Sequence, residues 1–323
     1  MAHLCCSVRK VQQHNNPGTK IKLISSSGGN AGLAVTTVAS KMDLDVAVVV
    51  PESTKPLVID KLRGLGADVT IHGKVWNEAD GLARQWVKES EEKREGGVYV
   101  SPYDNPLLWT GHSTVVDEMI TQLGEQDGNA RIGAILASVG GGGLLAGILE
   151  GVERNYFNGG TRGEIVSGTK IVACETEGAA SFAASFNASS SSDGTLGKKN
   201  VNMVRLDGIN SVATSLGALE VTSAVIHRAH RHQDRGKESG CGDDVYSYVC
   251  TDKEAVDACI QFAVDHRMLI EPACGASLAP LYSERLRSKL LEELDTDKVI
   301  VVEVCGGSGV SLELLEGWRK ELM

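Results

Sequence analysis

The stretch from Ile132 to Gly147 reads IGAILASVGGGGLLAG. Its first half is apolar along its whole length, with no alternation of polar and apolar positions. That is the pattern of a strand buried on both faces, as in a parallel sheet covered by helices. Its last residues open a helical stretch. Between the two stand four consecutive glycines, Gly140, Gly141, Gly142 and Gly143. Such a run costs backbone entropy on folding, and a plain strand-to-helix connection does not need it. A nest of N–H groups wrapped around a phosphate does. A strand, a phosphate-holding turn and a helix in that order predict a doubly wound α/β fold, in which ligands sit beyond the carboxyl ends of the strands.

Outward from this stretch the same unit recurs. Ile21 to Ile24 (IKLI) reads as a strand, Asn30 to Met42 as a helix, and Asp45 to Val50 (DVAVVV) as the next strand, stopped by Pro51. Lys55 to Leu65 reads as a helix, Asp68 to His72 as a strand, Glu78 to Glu91 as a helix and Val98 to Ser101 as a strand. Beyond the tetraglycine, Thr169 to Cys174 and Lys298 to Cys305 read as strands. This alternation implies right-handed βαβ units and mostly parallel sheets. A chain of 323 residues is long enough for two domains. The expected division is a smaller α/β domain, residues 1–112, and a larger one, residues 113–323, which carries the tetraglycine turn.

Two further turns follow strands. ISSSGGNAG, Ile24 to Gly32, opens a helix. Its small residues allow close backbone approach, and free N–H groups at a helix start attract anions. Ser27 and Asn30 add side-chain donors and acceptors, although ordinary helix capping would use the same residue types. VEVCGGSG, Val302 to Gly309, places Cys305 as the last residue of a strand. By itself this reads either as a buried thiol in a core strand or as a thiol facing a ligand at the sheet's carboxyl edge. Gly141, Gly143 and Ala146 match a dinucleotide fingerprint, which raises a nicotinamide enzyme as a minor alternative. The acid that would bind ribose, Glu175, lies 29 residues beyond Ala146, where about 20 is usual.

The formal net charge of −10 and the lack of a long basic run argue against nucleic acid as a partner. No apolar stretch reaches the roughly 18 residues of a membrane span, and no leader pattern is seen. None of the eight cysteines forms a C-x-x-C pair, so they read as reduced thiols of a cytoplasmic protein rather than zinc ligands. Phe186 to Asn200 is serine-rich and reads as a surface loop. His227 to Asp244, with His227, His230 and His232, reads as a solvated helix end rather than a metal site.

Taken together, SSGGNAG, VGGGGLLAG and VCGG in this order resemble the serine/threonine dehydratases, within the tryptophan-synthase-β-like (fold type II) pyridoxal-phosphate enzymes. The segments SPYDNPLLWTGH, ACETEGAASF, INSVATSLGA and RMLIEPACGASLAPLYS agree, and the resemblance covers nearly the whole chain. It implies that Gly140 to Gly143 hold the phosphate of pyridoxal 5′-phosphate, that Asn30 bonds its phenolic oxygen and that Cys305 lies against its pyridine nitrogen. Ser27, Gly28 and Gly29 would grip the substrate carboxylate. Gly140, Glu175, Ala179, Leu216 and Ala218 would form a monovalent-cation site, with potassium as the ion. The implied reaction is β-elimination from L-serine, and also L-threonine, giving pyruvate or 2-oxobutyrate and ammonia. A small amino acid is the expected partner, with a homodimer as the expected assembly.

One departure stands out. The family carries its Schiff-base lysine in an S-F-K-x-R-G motif just before a helix that MAHLC, Met1 to Cys5, resembles. Lys10, Lys20 and Lys22 do not stand in that motif. The lysine is therefore expected upstream of Met1, and the chain as given is expected to have impaired or no activity. A truncated gene product is the expected explanation. The alternative is a non-catalytic homologue that binds the cofactor or an amino acid and serves a regulatory role.

Overall fold

The computed structural model describes residues 1–189, 201–293 and 298–323, which form two units, Met1–Gly111 and His112–Met323. In the first unit, α1 (Ala2–Asn15) precedes β1 (Lys22–Ser25), α2 (Asn30–Lys41), β2 (Asp45–Val50), α3 (Pro56–Gly64), β3 (Asp68–Ile71), α4 (Trp76–Lys93) and β4 (Gly97–Tyr99). The helix α5 (Pro106–Gln126) carries the chain into the second unit. There follow β5 (Ile132–Ser138), α6 (Gly143–Asn158), α7 (Gly160–Val166), β6 (Lys170–Thr176), α8 (Ser181–Ser189), α9 (Ser223–Ser239) and β7 (Asp244–Cys250). The chain ends with α10 (Asp252–His266), α11 (Pro272–Tyr282), α12 (Glu284–Glu293), β8 (Val299–Val302) and α13 (Leu312–Glu321).

Both units hold a four-stranded, wholly parallel sheet, ordered β3-β2-β1-β4 and β7-β6-β5-β8. The apolar runs explain why. On one face of the first sheet, Leu23, Val48 and Val50 pack with Val35 and Ala39 of α2 and Leu62 of α3. On the other face, Ile24, Ala47 and Val49 pack with Ala79 and Ala83 of α4. Strands buried on both sides cannot alternate polar with apolar residues. In the second unit, Ala134, Leu136, Val172 and Cys174 share a core with Cys259 of α10 and Ala276 and Ala279 of α11. Helices α10 and α11 approach closely because Gly275 has no side chain: a Cβ there would lie 2.0 Å from the Ala255 carbonyl oxygen.

The two sheets share one logic. The chain enters at an inner strand, β1 or β5, works outward through two neighbours, and returns to the opposite side with β4 or β8. The strand order therefore reverses between β1 and β4, and again between β5 and β8. Crevices outside such switch points are where doubly wound sheets bind ligands.

Three sequence expectations are corrected. Cys305 does not end a strand: β8 stops at Val302, and after the Glu303 N–H bonds to the Leu136 carbonyl (2.8 Å) the chain leaves the sheet. The start of the serine-rich stretch is helical, since Phe186 to Ser189 belong to α8 and Phe186 is buried; the rest of it lies outside the described residues. The histidine-rich segment is not a solvated helix end. It spans most of α9, and His230 and His232 face inward. His230 stacks on Phe186 at 5.0 Å between ring centroids. His232 Nε2 bonds the Thr169 carbonyl (2.8 Å), and Arg235 joins its Nδ1 (3.0 Å) to the buried Asp243 (2.6 Å). Burial holds the His232 imidazole below its usual pKa. The charged residues of this segment mark the outer face of an amphipathic helix.

The second unit also shows a reciprocal cap at α10. The Thr251 hydroxyl accepts from the Glu254 N–H (3.1 Å), and the Glu254 carboxylate accepts from the Thr251 N–H (3.0 Å). Burial alone would raise the Glu254 pKa, but Arg285, the Thr251 N–H and Ser283 outweigh it and bring the carboxyl to about 2. The folded protein thus keeps Glu254 ionised where the unfolded chain takes up a proton near 4.5. The stabilisation is present above that pH and disappears as pH falls toward 2. Thermal melts should show Glu254→Gln less stable than the parent at pH 6, with the gap narrowing below pH 4.5 and closing toward pH 2. A gap independent of pH would contradict the ionised cap.

Candidate functional site

In the first unit, β1 runs out at Ser25, and Ser26 to Gly29 turn into α2. Gly29 occupies the N-cap position, and no side chain caps the helix. The first amides of a helix have no partner within it, so this end is suited to an anion. Ser27 is half-buried and Asn30 exposed at the same turn. Gly28 and Gly32 are dictated by crowding. A Cβ on Gly28 would sit 2.4 Å from Thr54 Oγ1, and one on Gly32 would sit 2.0 Å from the Ser27 carbonyl oxygen.

Beneath the turn lies a polar network that sequence reading missed. The Ser26 hydroxyl donates to Asp80 Oδ1 (2.5 Å), which the Tyr99 hydroxyl also reaches. Arg84 bonds Asp80 Oδ2 (2.7 Å) and covers the Tyr99 ring at 4.2 Å. The Trp76 indole N–H donates to the Ser26 carbonyl, and Ser25 Oγ donates to the Val100 carbonyl (2.8 Å). Burial, then the bond to Asp80, pushes the Tyr99 phenol above its ordinary pKa, so it stays a donor. The available signal was the spacing of Trp76, Asp80 and Arg84, which places polar groups on one face of α4.

In the second unit, the tetraglycine follows β5, and Gly142 is the N-cap of α6 with φ of 86°. That conformation is open to glycine at no steric cost. No side chain caps α6. The turn is braced from behind: the Thr222 N–H bonds the Gly141 carbonyl (2.9 Å). A Cβ on Gly140 would lie 3.0 Å from the Ser215 carbonyl oxygen, and one on Gly142 would lie 2.8 Å from Val225 Cγ1. A left-handed glycine, a side-chain-free cradle and an uncapped 16-residue helix fit a phosphate group.

Cys305 is exposed in the loop after β8, the strand beside β5. The loop is fixed by Glu271, also missed in the sequence, which is buried at the N-cap of α11. The Glu271 N–H bonds the Gly306 carbonyl (3.0 Å), its Oε1 accepts from the Gly309 N–H (2.7 Å), and its Oε2 accepts from Ser215 Oγ. One carboxylate therefore links the Cys305 loop to the segment that packs on Gly140. Its sequence signal is weak, being a single Glu-Pro at a helix start.

Glu175, in β6, is fully buried. Its two oxygens accept from the Phe182 and Ala183 N–H groups, each at 2.8 Å, across the start of α8. Burial pushes its carboxyl up to about 8. Among the described residues no lysine or arginine pairs with it. Ala179 ends the turn Glu177–Ala179 just before α8, and Leu216 ends the turn Thr214–Leu216, where its carbonyl accepts from the Ala218 N–H (2.7 Å). The structure brings Gly140 against Leu216. A ribose-binding role for Glu175 fails, because the carboxylate faces the interior and both oxygens are engaged; this removes the nicotinamide reading. Among the described residues no cluster of His, Cys, Asp or Glu is placed to hold a metal ion, and no helix is long and apolar enough to cross a membrane.

Residues 6–306 match the family described as pyridoxal-phosphate dependent enzyme. An L-serine dehydratase of Saccharomyces cerevisiae is 37% identical over 298 residues, covering 91% of this chain and 79% of the relative. A serine dehydratase-like protein of Rattus norvegicus is 38% identical over 305 residues, covering 93% and 79%. The crystal structure of a fungal L-serine ammonia-lyase from Rhizomucor miehei superposes with a TM-score of 0.77 at 31% identity, covering 98% of this chain and 87% of that one.

Proposed function

The chain belongs to the pyridoxal-phosphate dependent enzymes, and we propose that it serves the β-elimination of water from L-serine, with release of pyruvate and ammonia. L-Threonine is proposed as a second substrate of the same elimination, giving 2-oxobutyrate. The observation that carries the cofactor reading is the Gly140–Gly143 turn, whose left-handed Gly142 and uncapped α6 start suit a phosphate. The similarity to serine dehydratases supports the substrate class.

When bound, pyridoxal phosphate supplies an electron sink for the carbanion left after removal of the α-proton. The N–H groups of Gly140 to Gly143 would hold its phosphate, and Asn30 would bond its phenolic oxygen. Ser27, Gly28 and Gly29, at the open start of α2, would orient the substrate carboxylate. The Asp80, Tyr99 and Trp76 contacts hold Ser26, and with it this turn, in place. Cys305 would stand beside the pyridine nitrogen as a neutral thiol, since the nearby Cys274 and the Glu303 carboxylate raise its pKa.

The test is keto-acid formation. With added pyridoxal phosphate and L-serine, the form preceded by an S-F-K-x-R-G segment should give pyruvate in a lactate dehydrogenase assay, with borohydride reduction trapping the cofactor on the lysine of that segment, and the chain alone should give little of either. The assay is run on the chain and on a form preceded by an S-F-K-x-R-G segment. Cofactor binding without keto acid from serine or threonine in either form would sink the catalytic reading.

Potassium is proposed for the site formed by Glu175 with the carbonyls of Gly140, Ala179, Leu216 and Ala218. A buried carboxylate without a basic partner suits a monovalent cation with oxygen ligands. At pH 8 and equal ionic strength the protein should melt at a higher temperature in potassium than in tetramethylammonium. Identical melting temperatures would remove the site.

A further inference from the structure

One helix holds both the carbonyl and the hydroxyl of Ser26. Trp76 and Asp80 stand one turn apart on α4, so they share a face. The Trp76 indole N–H donates to the Ser26 carbonyl, and the Ser26 hydroxyl donates to Asp80 Oδ1 (2.5 Å). The residue before it is pinned from the end of β4: Ser25 Oγ donates to the Val100 carbonyl (2.8 Å), and the Val100 N–H bonds the Ile24 carbonyl (2.8 Å).

The Ser26 carbonyl and the Ser27 N–H belong to one peptide group. That group is planar and trans, so the two point in opposite directions. Holding the carbonyl on Trp76 therefore aims the Ser27 N–H away from Trp76. No described residue accepts from that N–H. An amide with a fixed direction and no internal partner is a preorganised donor for an anion.

A carboxylate beneath a turn that receives an anion opposes binding unless its charge is met. Asp80 is buried, and three donors meet it: the Ser26 and Tyr99 hydroxyls on Oδ1, and Arg84 Nε on Oδ2 (2.7 Å). Arg84 balances the charge. What Asp80 adds is direction. An ionised carboxylate only accepts, so the Ser26 hydroxyl is locked as a donor toward α4.

We propose that Trp76 and Asp80 are positioning residues for the substrate's carboxylate. Without touching it, they set the Ser26–Ser27 peptide so that the Ser27 N–H meets it. The proposal rests on the reading of Ser27, Gly28 and Gly29 as the carboxylate grip. Trp76→Phe removes the indole N–H and keeps a ring beside Tyr103, whose centroid lies 6.0 Å from that of Trp76. Asp80→Asn keeps the shape, but an amide cannot accept on both sides: its NH2 faces either the Arg84 N–H or the two hydroxyls. Each variant should weaken L-serine binding about fivefold, the equivalent of one ordinary hydrogen bond. If Asp80 acted only as a repelling charge, Asp80→Asn would tighten binding instead.

The test compares L-serine with ethanolamine, which is serine without its carboxylate. Both are titrated by calorimetry into the full chain loaded with pyridoxal phosphate, for the parent, Trp76→Phe and Asp80→Asn, with circular dichroism to verify folding. The parent should prefer L-serine. Each folded variant should lose about fivefold of that preference, with ethanolamine bound as in the parent. The two variants break independent bonds, so either one carries the test if the other does not fold. Loss of affinity for both ligands alike, with the preference intact, would show a merely structural role and overturn the proposal. So would tighter L-serine binding in Asp80→Asn. A parent with no preference for L-serine over ethanolamine would reject the carboxylate grip itself, and the positioning role with it.

Discussion

Gly142→Asp should abolish binding of pyridoxal phosphate. Three effects act in the same direction. Gly142 has φ of 86°, which disfavours any side chain. Its Cβ would lie 2.8 Å from Val225 Cγ1, on α9, so α6 and α9 would have to part at the turn. The carboxylate would also place a negative charge where phosphate oxygens need N–H donors. Each charge-assisted hydrogen bond lost is worth about 1.5–3 kcal/mol, so even one, with the added repulsion, weakens binding by roughly a hundredfold. Gly142→Ala carries the strain without the charge and should fall between the two proteins. An equilibrium titration followed by cofactor absorbance, with circular dichroism to verify folding, measures all three. A folded Asp variant with parental affinity would remove the phosphate from this turn.

Gly32→Ala should have the largest effect in the first unit. Its Cβ would sit 2.0 Å from the Ser27 carbonyl oxygen, a backbone atom that cannot rotate away. Either α2 shifts or the Ser27–Asn30 turn opens, and overpacking of this kind costs about 1–3 kcal/mol. Gly81→Ala is the natural contrast: Gly81 lies in α4, and nothing stands within 4 Å of the added carbon. It should gain roughly 0.5–1 kcal/mol from helix propensity. Urea unfolding should therefore separate the two variants in opposite directions. Calorimetric titration with L-serine on cofactor-loaded protein should show weaker binding for Gly32→Ala alone. If Gly32→Ala bound L-serine as the parent does, the turn would not be the carboxylate site.

How far the sequence could be read depended on how local the cause was. Parallel strands announce themselves as unbroken apolar runs, so DVAVVV and IGAILASV were legible together with the turns that follow them. The ends of strands were less so. Lys298 to Cys305 reads as one strand, but pairing with β5 ceases near Glu303, and Cys305 lies in a loop fixed by Glu271, which stands 34 residues earlier in the chain. The histidine segment misled because its charges are dense, while burial of His230 and His232 depends on Phe186, Thr169 and Asp243. Asp80 and Glu271 escaped for a related reason. A carboxylate that braces a distant loop carries no marker in its own neighbourhood; its partners become visible only when the topology brings them to the same sheet edge.

The inner position of β5 has a consequence for how the protein is made. Ile132 pairs with Val299, so about half the chain must be synthesised between the two strands that flank the second switch point. Until β8 leaves the ribosome, β5 is an edge strand whose apolar residues Ile132, Ile135 and Leu136 lack their neighbour on that side. Contacts so distant in sequence form slowly, and unpaired apolar edges are where nascent chains aggregate. Ribosome stalling before Val299 should therefore leave chains that depend on chaperones, with the strand that leads into the tetraglycine turn still unprotected.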